Sequence, residues 1–108
     1  MKFLTLLKFK PLPPPPDPNM TIGINEAAQA WIKAHLADGS LDCAYNVMPS
    51  APNYYGMGIS NATSLEELWQ FLTTYPAFLI TDFEVYPLTD VSQAIDDVIV
   101  ATRKMMGG

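Results

Sequence analysis

Charge and chemically active side chains are scarce in this chain. Lys and Arg number 6 against 11 Asp and Glu, the formal net charge is −5, and only 16% of the 108 residues are charged. No run of Lys or Arg is present to neutralise phosphates, which argues against a nucleic-acid partner. The lone cysteine, Cys43, excludes an internal disulfide and a thiolate zinc site. It falls in an expected strand with no cation beside it, so a small buried apolar role is expected there. The lone histidine, His35, and the lack of any Glu/His spacing motif argue against a metal site. No apolar run is long enough to cross a membrane. The apolar start of the chain is cut by Lys8 and Lys10, and no small-residue cleavage site follows, so a cytoplasmic protein is expected.

What is present is apolar: 49% of residues are hydrophobic, too many for disorder and enough for a single domain over residues 1–108. So short a chain with so little charge is expected to bury further surface against another copy of itself.

One stretch organises the rest. Residues 64–88, SLEELWQFLTTYPAFLITDFEVYPL, change hydrophobic period at Pro76. Before it, Leu65, Leu68, Trp69 and Leu72 recur at helical spacing. Thr63 or Ser64 can cap the helix, and Glu66 and Glu67 favour its positive end. Pro76 lacks the N–H to continue, so the helix is expected to end near Tyr75. From Ile80 to Leu88 the pattern alternates, with Thr81, Phe83 and Val85 facing one way and Asp82, Glu84 and Tyr86 the other.

Earlier in the chain, residues 2–10 read as a strand that is apolar on both faces, Phe3, Thr5, Leu7 and Phe9 alternating with Leu4, Leu6 and Lys8. Such a strand must be covered on both sides. Helices can cover one side; in so short a chain the other needs a second sheet, most simply that of a two-fold mate. Residues 11–18, PLPPPPDP, form a stiff extended connection. They contain a PxxP spacing, but a rigid link from strand to helix, or a lid on one end of the sheet, is the expected role. Asp17 as N-cap and Pro18 at the first helical position then open a helix to Asp38, closed by Gly39. Its expected stripe is Met20, Ile24, Ala27, Ala28, Trp31 and Ala34; Gly23 weakens the first turns enough that Asn25 is an alternative start.

Residues 41–48 and 53–60 read as two strands joined by Pro49-Ser50-Ala51-Pro52, paired antiparallel. Gly56 and Gly58 leave one face of the later strand bare, where a helix, a Trp side chain or a ligand can approach. A last helix over residues 91–106 starts at Asp90 or Ser92 and ends in Arg103-Lys104. Its face of Val91, Ile95, Val98, Ile99, Thr102 and Met105 is expected to meet a neighbouring subunit or the end of a barrel. The order strand, helix, strand, strand, helix, strand, helix gives an α+β, ferredoxin-like βαββαβ fold plus a C-terminal helix, with a four-stranded antiparallel sheet.

The motif SLEEL, followed by Leu72, the Pro76–Phe78 pair, Asp82, Glu84-Val85 and Leu88, resembles the C-terminal half of bacterial muconolactone isomerases. The interval from Asp17-Pro18 to Gly39 is similar without a gap, and Asn53-Tyr54 matches an Asn-Tyr pair of that family. The resemblance implies a dimeric α/β barrel, a homodimer or larger homo-oligomer. It also implies cofactor-independent movement of a double bond in a small cyclic substrate by proton abstraction and return. The chain departs from the family at Asp42 and Asn46, where the family has basic residues. A second departure is at Ser50 or Ala51, near the family's His. These changes remove an anion clamp and a proton carrier together.

Two function classes follow. The first is an isomerase or related enzyme on a small cyclic substrate, with His35, Tyr45, Asn53 and Tyr54 as its catalytic candidates. Trp31, Asn46, Met57 and Trp69 would line the substrate. His35 has two readings: a cation favoured by a helix C-terminus, and the one side chain titrating near neutrality without a shift. The second class is a non-catalytic binding or assembly module whose pocket holds a neutral hydrophobic small molecule. The absence of any charged residue but Asp42 in the cluster between the second and third strands leans towards neutral ligands.

Overall fold

The computed structural model describes residues 1–47 and 54–107. The elements follow in the order β1 (Lys2–Phe9), α1 (Pro18–Asp38), β2 (Leu41–Tyr45), β3 (Tyr54–Asn61), α2 (Leu65–Leu72), β4 (Thr81–Leu88) and α3 (Val91–Met105), with a 3-10 turn at Phe78–Ile80 before β4. The strands form one antiparallel sheet in the order β2-β3-β1-β4. The fold is α+β and ferredoxin-type, as the period changes in the sequence imply.

The helix ends follow the local chemistry. Asp17 accepts a hydrogen bond from the Asn19 N–H at 2.9 Å, and α1 runs from Pro18, so Gly23 does not delay its start. Gly39 closes α1 at φ 84°, the left-handed conformation that costs glycine nothing. Ser64 caps α2 by accepting from the Glu67 N–H at 3.1 Å, while the Thr63 hydroxyl donates to the Glu67 carboxylate. That helix stops at Leu72, three residues before the position set by Pro76. Tighter turns, with the Thr74 N–H donating to the Phe71 carbonyl and that of Tyr75 to Leu72, carry the chain to the proline.

Both α1 and α2 lie on one face of the sheet. Phe3, Ala62, Leu68 and Leu72 form one core cluster, and Ala28, Tyr75 and Ala77 a second; Phe83 packs against both. The face of α1 that reaches the sheet is narrower than its apolar pattern. Ile24, Ala28, Trp31, Ile32 and His35 are covered, whereas Met20, Ala27 and Ala34 are exposed. A helix touches a sheet along a single line of side chains at intervals of three and four, and here Ile32 takes the place the pattern assigned to its neighbours.

The opposite sheet face carries Leu4, Leu6, Met57 and Ile59, all half-buried, with no described helix over them. Cys43 lies in this sheet half-exposed rather than buried, because β2 is an edge strand. Helix α3 is exposed along its whole length. The radius of gyration is consequently 18.1 Å, against about 13 Å for a compact domain of this size. No described helix is long and apolar enough to cross a membrane.

Candidate functional site

Between α1 and the sheet lies a cavity of about 290 Å³, bordered by Leu72 of one core cluster and Tyr75 of the other. Its floor follows from the strand register. Thr5 of β1 stands opposite Gly58, Leu7 opposite Gly56, and Phe3 opposite Ser60, so these residues share the helix-covered face. Ala44 of β2 also pairs with Gly58. The two glycines contribute no side chain to the floor. An added Cβ at Gly58 would meet only the Cys43 carbonyl at 3.5 Å and Leu41 at 3.8 Å, so space rather than backbone crowding surrounds it.

Trp31 and Tyr75 form the walls. The Trp31 indole N–H donates to Thr74 Oγ1 at 2.9 Å, which ties α1 to the end of α2, and its ring meets that of Tyr75 edge-on at 5.2 Å. Tyr55 enters from β3. Strict alternation from Gly56 would place Tyr55 on the helix-free face, but the register shifts between Leu7 and Lys8, and the bulge turns Tyr55 towards the cavity. Its phenol shares a 2.8 Å hydrogen bond with Thr81 Oγ1, and its ring stacks on Phe9 at 4.0 Å. Burial, and then the neighbouring Tyr55 phenol, push the Tyr75 hydroxyl well above the usual tyrosine range, so it stays protonated. Beyond these two tyrosines a second cavity, about 320 Å³, is bordered by Pro13, Pro14 and Pro15 together with Phe9 and Ile24.

The anticipated site residues are only partly brought together. Trp31 lines the cavity with its side chain, and Asn46 stands exposed at its rim. Tyr45 and Met57 border it, but they pair with each other on the helix-free face, so what they offer the cavity is backbone; the Tyr45 side chain is 67% exposed. Trp69 is not at the cavity. It follows the fully buried Leu68 on α2 and is therefore turned outward, with its ring edge-on to Phe83 at 6.2 Å. His35 is also outside the cavity lining. Its Nδ1 lies 3.1 Å from Asp38 Oδ2, and its ring packs against Trp31 at 4.5 Å and Phe71 at 4.7 Å. Asn53, the side chain of Tyr54 and the turn at residues 49–52 lie outside the described residues.

Asp42 belongs to a separate network at the end of the sheet. Lys2 pairs with Asp42 and donates to Asn61 Oδ1 at 2.9 Å, while Asn61 Nδ2 donates to Asp42 Oδ1 at 2.7 Å and to the Gly39 carbonyl. The hydrogen bonds from Lys2 and then Asn61 hold the Asp42 carboxyl below its usual range.

Among the described residues, those lining the first cavity include no Lys, Arg, His, Asp or Glu. The stretch at residues 48–53, MPSAPN, contains none either. No group of His, Cys, Asp or Glu among the described residues is placed to hold a metal ion. The polar tools of the cavity are hydroxyls, those of Thr5, Ser60, Tyr55 and Tyr75, with the Asn46 amide at the rim. Such a set can donate to and accept from a neutral oxygen; it offers no counter-charge to a carboxylate.

This hollow between helix and sheet occurs on a known scaffold. A muconolactone isomerase crystal structure superposes with a TM-score of 0.71 over 83% of this chain and 90% of that one, at 22% identity. The chain has the muconolactone isomerase-like fold. A second similar structure is 5-chloro-2-hydroxyhydroquinone dehydrochlorinase (TftG) from Burkholderia phenoliruptrix AC1100, in complex with 2,5-dihydroxybenzoquinone. It superposes with a TM-score of 0.59 over 82% of this chain and 94% of that one, at 15% identity. No protein-family model and no curated protein matches by sequence.

Proposed function

We propose that the chain binds a small, neutral, oxygen-bearing ring in the cavity between α1 and the sheet. The observation that carries this reading is the lining: aromatic and aliphatic walls, converging hydroxyls and no charged side chain among the described residues. A largely apolar hollow with a few oriented polar groups is the usual form of a small-molecule site, and about 290 Å³ suits a single ring. A carboxylate placed there would lose its hydration with no cation to replace it.

A second reading is catalysis. Both similar solved structures are named as enzymes, an isomerase and a dehydrochlorinase, and the phenols of Tyr55 and Tyr75 offer hydrogen bonds at the cavity. Basic catalysis near neutrality has no support among the described lining groups, because the Tyr75 phenol stays protonated and His35 lies elsewhere. The assembly that fits best is a homodimer, sheet against sheet. The helix-free face with Leu4, Leu6, Met57 and Ile59, and the fully exposed α3, supply the apolar surface it would cover.

A thermal-shift series with muconolactone, neutral lactones, quinols and aromatic alcohols tests the binding reading, because a ligand raises the melting temperature by mass action. Neutral rings should stabilise the protein and muconolactone should not. Stabilisation by muconolactone together with its isomerisation would replace the binding reading with the enzymatic one.

A further inference from the structure

Thr5 sits at the middle of β1 on the helix-covered face, opposite Gly58 on one side and Val85 on the other. It is 2% exposed, and its hydroxyl has no hydrogen-bond partner among the described residues. Valine has the same shape and at least equal strand preference, and would fill this position without a polar atom to satisfy. A buried hydroxyl with no partner keeps its desolvation cost without return. Thr5 also lines the cavity, next to the bare floor at Gly58 and near the buried Ser60. A single staggered χ1 step re-aims Oγ1 without any movement of β1.

We propose that Thr5 is the specificity-determining residue of this cavity, its hydroxyl forming a hydrogen bond with one neutral oxygen of a ring laid over Gly56 and Gly58. The proposal rests on the reading of the cavity as a ligand site. It adds which end of the ligand carries the oxygen. The oxygenated edge points to the centre of the sheet at Thr5, and the hydrocarbon edge meets Trp31 and Leu72. The ligand class is then a phenol, a cyclic ketone or a lactone rather than a plain hydrocarbon ring.

Phenol and benzene, titrated separately into the full chain and followed by amide chemical shifts, distinguish the claims. The native protein should bind phenol about two- to tenfold more tightly than benzene, the range of one net neutral hydrogen bond. Thr5→Val should keep the benzene affinity and lose the preference, and Thr5→Ser should retain it. Without any ring present, Thr5→Val should melt no lower than the native chain, since it removes an unpaired group. Two results overturn the proposal while leaving the cavity reading intact: a phenol preference that survives in Thr5→Val, or a Thr5→Val chain that melts several degrees lower or fails to fold, which would reveal an internal partner for the hydroxyl. Binding of neither ring by the native chain overturns the cavity reading and the proposal with it.

Discussion

Gly58 offers the sharpest test of whether the cavity is a site or a packing fault. Its backbone does not need glycine: positive φ occurs among the described glycines only at Gly39 and Gly107. Nor does crowding require it, since a Cβ would find the Cys43 carbonyl at 3.5 Å and Leu41 at 3.8 Å, ordinary contact distances. Gly58→Ala should therefore stabilise the fold. Burying one methyl and narrowing the unfolded ensemble together contribute about 1–2 kcal/mol. For a domain of this length that is a rise in melting temperature of roughly 4–15 °C. Gly58→Val adds two further carbons into the same hollow and suits a strand, so it should be at least as stable as the native chain. It should also exclude a ring, because its branches occupy the floor that the ring would cover. Thermal melts with and without phenol measure both effects at once. If Gly58→Val is less stable than the native chain by more than about 1 kcal/mol, the hollow is smaller than the geometry gives and overpacking has won. Undiminished phenol binding in Gly58→Val would show that the ring sits elsewhere.

His35→Gln should leave ring binding unchanged and cost about 1 kcal/mol through its lost helix-end interaction, read by denaturant unfolding; loss of binding would bring His35 back to the site. The Asp42 carboxyl is held below the usual aspartate range, so its contribution to stability is present above that range and is lost as pH falls through the lowered folded value. Acid unfolding of Asp42→Asn should accordingly be less steep below about pH 4. Tyr75 has the opposite sign: its raised value leaves its contribution intact below pH 10 and loses it as the unfolded chain ionises above that, so Tyr75→Phe should flatten the alkaline limb of the stability curve. If the chain pairs as proposed, Ile95→Asp with Ile99→Asp, one helix turn apart on the exposed α3, should leave an 11.9 kDa monomer in sedimentation; a native monomer at micromolar concentration would refute the assembly.

The fold was legible because its signals are local. Period changes at Pro76 and Pro18, caps at Asp17, Ser64 and Asp90, and the Gly39 stop each act within a few residues, and the structure places elements accordingly. The faces of β4 were equally readable: Phe83 and Val85 pair with Leu7 and Thr5 on the covered side, while Glu84 and Tyr86 pair with Leu6 and Leu4 on the other. The site was less so, because it depends on register. Tyr45 and Met57 look like cavity residues by their place in the sequence, yet pairing sends their side chains to the other face. Tyr55 enters through a bulge that no residue pattern announces. Thr5 read as an ordinary strand residue; only its burial and its unpaired hydroxyl set it apart.

Three features that oppose stability coincide in one place. Gly56 and Gly58 weaken the middle of a strand, Thr5 buries a hydroxyl with no partner among the described residues, and a hollow of about 290 Å³ adjoins them. Each has an inexpensive local remedy, alanine, valine or a larger aliphatic residue. A small domain has only about 5–15 kcal/mol of net stability, so leaving all three uncorrected takes a sizeable share of it. Independent packing faults would be scattered over the sheet. Here they share one face and adjoining register positions, Thr5 being directly opposite Gly58. A ring bound as proposed would remove all three costs together: it would fill the hollow, cover the glycines and satisfy the hydroxyl. A ligand that binds only the folded chain would then return stability by mass action, growing with the logarithm of its concentration over Kd.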